Sequence, residues 1–265
     1  MNLKYIKYLV LSNKVVWIAI TFVLIFYMSS IMMMYDPTTV DAMMGYIEAL
    51  PEAMIKALNF QMVDFTFLGF IAGYYYGFLA MTFPLIFSMM FTYKVVAKTI
   101  DNNSITHLLT SGRSRLTLIL HAWLTYAVVL ACMISLLMVA SYSMAGSMFE
   151  GVTLDSRFIY LNIYLYGFHL MMGSLMMMFS AILPSASLAL GAIIGVPLTS
   201  MVLDMVARLG EDLSWVRFAS LHTLFDADKV VLQESVVTQS GIMVGLTLLF
   251  LVITLIGFKK RDIIV

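Results

Sequence analysis

The sequence predicts an all-α membrane protein: a six-transmembrane-helix bundle with a short N-terminal interfacial helix and a further short helix in a cytoplasmic loop. Three observations predict it. Of 265 residues, 62% are hydrophobic and 11% charged, where a soluble domain carries roughly a quarter charged residues. The apolar residues come in blocks long enough to cross a bilayer, which takes about 20 in a row. The basic residues then divide unevenly between the segments that join those blocks.

The blocks place spans at Val15–Tyr35, Phe67–Tyr93, Leu116–Ser143, Phe158–Leu183, Ala186–Ala207 and Gly241–Phe258. The second and third exceed what a bilayer requires, so they tilt or project beyond it. Alternating segments of about ten residues, the mark of a membrane β-barrel, are absent. Only Pro184 and Ser185 separate the fourth and fifth spans, which leaves a re-entrant pair as the alternative there. The first block is longer than the roughly 7–15 residues of a signal-peptide core, so a retained helix is expected.

Charge orients the bundle, because Lys and Arg near span ends stay on the cytoplasmic side. With the N-terminus inside, the inner segments hold Lys4, Lys7, Lys14, Lys94, Lys98, Arg113, Arg115, Lys259, Lys260 and Arg261. The outer segments hold five basic residues against these ten. Of the 15 acids only Asp101 and Asp262 fall inside. Both chain ends are therefore expected in the cytoplasm of a cell-membrane protein.

The connecting segments carry structure of their own. Residues 1–14 alternate Lys with apolar positions, as a helix lying on anionic lipid does. An ordinary basic flank is the alternative. In the outer segment 36–66, Val40, Met43, Met44, Ile47 and Leu50 recur at helical spacing, and Pro51 suits the first turn of a second short helix. Gly69, Gly73 and Gly77 are spaced by four, as are Gly191 and Gly195; such spacing lets helix backbones approach closely in lipid and marks these as helix-packing positions, within one bundle or across a dimer. Pro84 and Pro197 are expected to kink their helices.

Catalytic and cofactor motifs are missing. No phosphate-binding G-x-x-x-x-G-K-[ST] loop, H-E-x-x-H or C-x-x-C is present. The four histidines share no ligand spacing, and the single Cys132 has no disulfide partner. His169 assisting Ser174 is one conceivable catalytic pair; a helix-to-helix hydrogen bond is the plainer role for that histidine. The spans contain no Asp, Glu, Lys or Arg except Asp204 near the outer end of the fifth, which disfavours an ion-coupled transporter. Nor does any feature point to nucleic acid.

The inner loop after the second span is the most informative segment. Ser104 suits a helix N-cap and Gly112 a C-terminal stop. Between them Ile105, Leu108 and Leu109 fall on one face, a ridge that either lies on the membrane or fits a partner's groove. Asp101, Asn103-Ser104, Leu108-Leu109-Thr110-Ser111, Gly112 and Arg115 resemble the pattern after the second span in permease subunits of type 2 ABC exporters. Leu50-Pro51-Glu52 through Leu58 and the ending Phe258–Ile263 are similar to that family too. Gly112 departs from it, where Pro is usual, as does His121, where Lys is common.

The resemblance implies a transport subunit with no ATPase site of its own. It implies partners: separate ABC ATPase subunits that bind ATP and magnesium, and a second permease subunit, identical or related. ATPase coupling would fall to a cytoplasmic coupling helix with Asp101, Ser104, Ile105, Leu108, Leu109, Arg113 and Arg115. A drug, a lipid or an amphipathic peptide would suit the apolar, Met-rich spans. The alternative class is a non-transporting immunity or assembly factor that binds a partner through the same loop. Topology is testable directly. In a Cys132→Ser background, Ser111→Cys and Lys260→Cys should resist a membrane-impermeant thiol reagent on intact cells, and Glu48→Cys or Asp226→Cys should react. External labelling of Lys260→Cys would refute the six-span arrangement.

Overall fold

Among the described residues, six helices are long and apolar enough to cross a membrane, and the chain is a multi-pass, all-α membrane protein. The computed structural model describes residues 3–35, 49–58, 66–106, 114–149 and 154–261. In chain order the helices are α1 (Leu3–Ser12), α2 (Lys14–Met34), α3 (Glu52–Leu58), α4 (Phe67–Ile71), α5 (Leu79–Thr92), α6 (Lys98–Asp101), α7 (Arg115–Met148), α8 (Ser156–Ile182), α9 (Ala186–Ala207), α10 (Ala227–Val231) and α11 (Val237–Lys260). The expected helix over residues 40–50 lies mostly outside the described residues; the one begun at Pro51 is α3.

The second span departs from its expected bounds. The apolar block from Phe67 widens into a π-helical turn at Ala72–Tyr76 and breaks at Gly77 and Phe78. The crossing helix is Leu79–Asp101, formed by α5, a second π-turn at Tyr93–Ala97 and α6. Hydropathy could not reveal this break, because apolar residues continue through it. The pair joined at Pro184 and Ser185 consists of two full helices, α8 and α9, of 27 and 22 residues. Ser185 starts α9 by accepting the N–H of Leu188 at 3.3 Å.

Helix α8 is the axis of the bundle. It packs against α11, α5, α9 and α7, and 72% of its most apolar window is buried, against 33% for α2, 28% for α9 and 22% for α11. Its polar side chains are pinned at intervals along its length. Tyr76 donates to Asn162 Oδ1 at 3.0 Å, and Trp123 donates to Ser174 Oγ at 2.8 Å. Ser174 in turn donates to its own helix at Leu170, so its hydroxyl is engaged without His169.

His169 solves a problem set by Pro84. Proline has no N–H to give the carbonyl four residues back, here Ala80. His169 lies across the interface with Nε2 2.9 Å from that carbonyl oxygen. A carbonyl only accepts, so Nε2 carries the proton. The helix-to-helix hydrogen bond expected of His169 is thus present, and its partner is backbone rather than Ser174. One turn along, Tyr126 donates to the His169 carbonyl at 2.7 Å.

Two close approaches fall at glycines outside the fourfold spacing. A Cβ on Gly173 would stand 2.2 Å from the Tyr126 phenol, and one on Gly257 would stand 2.4 Å from Ile182 Cγ2. Gly191 and Gly195 have no neighbour within 4 Å that a Cβ would meet; they line an open groove on α9. Gly69 and Gly73 are buried, and Gly77 sits in the break before α5.

The two ends of the bundle differ. At the apical end, where α7 stops and α8 starts, Tyr35, Phe67, Phe70 and Phe149 form a ring cluster with centroids 4.9–5.8 Å apart. There a 3-10 helix over Glu211–Ala219 packs on α9 and exposes Trp215 and Phe218, suited to a headgroup layer. His222 anchors the segment that follows, with Nδ1 2.9 Å from Ser200 Oγ. Burial and the nearby Arg208 guanidinium push its pKa down to about 4.

Gly173 gives the sharpest test of this packing. Gly173→Ala should displace Tyr126 and lower stability by about 1–3 kcal/mol, the usual cost of overpacking. Gly191→Ala should change little. Melting of both purified variants in one detergent compares them; equal melting would mean α7 and α8 do not approach as closely as described.

Candidate functional site

The basal end, opposite the ring cluster, gathers the described residues of the inner loop. Helix α6 ends at Asp101, which is exposed. Asn103 then takes a left-handed conformation, φ 56°, which Asn tolerates better than most residues. The next helical turn starts at Ser104 itself. Ser104 therefore stands inside that turn rather than ahead of it as a cap, and Asn102 Oδ1 accepts its N–H at 3.1 Å. Leu108, Leu109, Arg113 and the stop at Gly112 lie outside the described residues.

Ile105 is 4% exposed. It shares a small pocket with Tyr5 of α1, Val96, Leu118 of α7 and Phe258 of α11. Ile105 of the expected ridge therefore faces its own bundle. Four separate parts of the chain thus hold the start of the loop. The Lys94 ammonium fastens α1 to this end by donating to the Ser12 carbonyl.

Arg261 joins the loop's far side to the axis. The last carbonyls of a helix lack intrahelical donors and carry partial negative charge. Its guanidinium meets those of α8, with Nη1 3.2 Å from the Ser180 oxygen and 3.0 Å from Ala181, and Nη2 3.1 Å from Pro184. Arg115, the first residue of α7, donates to the Arg261 carbonyl at 2.6 Å. Partial burial lowers the pKa of Arg261, and the Asp101 carboxylate opposes that shift by favouring its charge. Gly257, one turn before, is what lets α11 come so close to Ile182.

Of the residues expected to act together, Arg115 thus bonds to Arg261 directly, and Asp101 acts on it only through its charge. Sequence reading had placed Arg261 only in a familiar chain ending. A basic residue after a helix is common, and its target 80 residues away leaves no local trace. Among the described residues no group of three or more His, Cys, Asp or Glu could hold a metal ion. No protein-family model, curated protein or solved structure matches the chain.

The cluster predicts a graded response at Arg261. Arg261→Ala should uncap the end of α8 and cost about 1.5–3 kcal/mol, the range for hydrogen bonds to charged groups. Arg261→Lys should recover only part, since an ammonium cannot span three carbonyls as a planar fork does. Thermal melting of the purified variants measures both, and full recovery by Lys would reduce Arg261 to a general positive charge.

Proposed function

We propose that this chain is the permease subunit of a type 2 ABC exporter, coupled to separate ATPase subunits through the loop between its second and third spans. The observation that carries this reading is the rooting of that loop. Ile105 sits in the base of the bundle, while Arg115 donates to the carbonyl of Arg261, which caps the central helix. Force applied at Leu108 and Leu109 would pass into α1, α7, α11 and α8 together. A loop merely resting on lipid would need no such connections.

In this arrangement the basal end faces the cytoplasm, as its Lys and Arg content favours, and α1 lies in the interface with Leu3, Tyr8 and Leu11 exposed toward lipid. A second permease subunit, identical or related, completes the path for substrate. The partner ATPases bind ATP and magnesium; this chain supplies no nucleotide site. Their closure pulls the loop and tilts the bundle between inward- and outward-facing forms.

The decisive variants are Leu108→Asp with Leu109→Asp. Burying a Leu in a partner's groove contributes about 1.5–3 kcal/mol, so two charges there should abolish copurification of the ATPase, substrate-stimulated hydrolysis, or both. Insertion and melting of the permease should be unchanged, because neither residue lies in a span. Met43→Asp with Met44→Asp, on the other side of the membrane, should leave ATPase association intact. Full association and transport by the Leu108/Leu109 variant would remove the loop from the mechanism.

A further inference from the structure

A cleft of about 680 Å³ opens sideways between α8 and α11 in the apical half of the bundle. That volume falls within the roughly 300–1,000 Å³ usual for small-molecule sites. It runs from Asp155 to Leu170, about 22 Å along α8 at 1.5 Å per residue. Its mouth holds Asp155, Arg157, Gln233 and Glu234, and its deeper walls include Ile163, Leu170, Met243 and Val244. The order of polar mouth and apolar depth follows the bilayer itself, from headgroup to hydrocarbon.

We propose that this cleft binds a single-chain amphiphile with a protonated amine head. The charge at the mouth selects the head. Arg157 is already engaged, Nε with Asp155 Oδ2 at 2.7 Å and Nη1 with the Val231 oxygen at 2.9 Å. Glu234 is exposed and has no ion pair among the described residues. Among the described residues of the lining, two acids against one base leave the mouth at −1. The ring of Tyr160, 63% exposed beside it, offers a face to a cation. A phosphate or carboxylate head would meet the Glu234 carboxylate and an arginine with its Nε–H already given to Asp155.

A volume of about 680 Å³ spread over about 22 Å leaves room for a slender chain, and Gly167 stands in its wall. A Cβ there would meet only Met243 Sδ, at 3.8 Å, an ordinary contact. A Leu at this position starts from an unstrained Cβ in the cleft wall, so Gly167→Leu narrows the cleft. Binding needs no ATPase and no second subunit, so it stands or falls apart from the export reading.

The test uses the purified full chain in nanodiscs of zwitterionic lipid, with a photoactivatable long-chain alkylamine and the same chain ending in carboxylate. The amine probe should label α8 and α11 saturably between Ile163 and Leu170 or at Met243 and Val244. Excess dodecylamine should compete at least tenfold better than dodecanoate. Gly167→Leu, and independently Val244→Trp from the opposite wall, should cut that labelling at least tenfold with unchanged helical content. Glu234→Gln should bring the two probes within about threefold of each other. Equal labelling by both probes in the native chain, or labelling spread evenly over exposed α2, α9 and α11, would overturn the proposal. So would saturable labelling that survives both cleft-filling changes, or a site held by a two-chain phospholipid that the amine does not displace.

Discussion

A backbone carbonyl freed inside a membrane has no water to turn to, and the bundle is arranged around one such group. Pro84 leaves Ala80 without an intrahelical donor, and His169 supplies one from α8. Each unsatisfied polar group in hydrocarbon costs several kcal/mol, so this pairing fixes the register of α5 against α8. Once that register is set, Tyr126 reaches the His169 carbonyl and must lie over Gly173, where no side chain larger than hydrogen leaves room. Proline, histidine, tyrosine and glycine on three helices thus form one constraint.

The same logic recurs at the basal end with charge in place of an imidazole. The carbonyls that end α8 have no helical donors, and Arg261 at the end of α11 gathers two of them together with the Pro184 carbonyl of the turn that follows. Gly257 permits the approach, and Arg115 holds the Arg261 backbone from the start of α7. The central helix is therefore gripped near its middle by a hydrogen-bonded histidine and at its basal end by an arginine. If the proposed export function holds, α8 is the element that the inner loop would pull as a unit.

The apical half is looser. There α8 and α11 diverge into the cleft, Gly167 leaves it open, and the chain between α9 and α11 folds into short helices anchored by His222 and Ser200. Exposed Trp215 and Phe218 on that segment suit the headgroup layer more than a protein core. The bundle is thus tied by hydrogen bonds at its basal end and open to a groove in its apical half.

Hydropathy by itself determined six spans and their chain order, because the transfer of about 20 apolar residues into lipid depends on local composition and nothing else. It did not determine where the second crossing starts: apolar residues run unbroken through Gly77 and Phe78, and only the helix geometry reveals the turn. The inner loop was legible as a segment of interest from its apolar spacing between Ser104 and Gly112. That Ile105 turns inward was not, since one face of a short helix looks alike in sequence whether its own bundle or a partner covers it. Spacing of four also marked Gly191 and Gly195, which meet no neighbour, and it passed over Gly173 and Gly257, which do. A glycine matters when a neighbour stands against it, and the neighbours here, Tyr126 and Ile182, come from elsewhere in the chain. Composition decided that this protein lives in a membrane; only the packing of distant segments decided which of its polar groups meet.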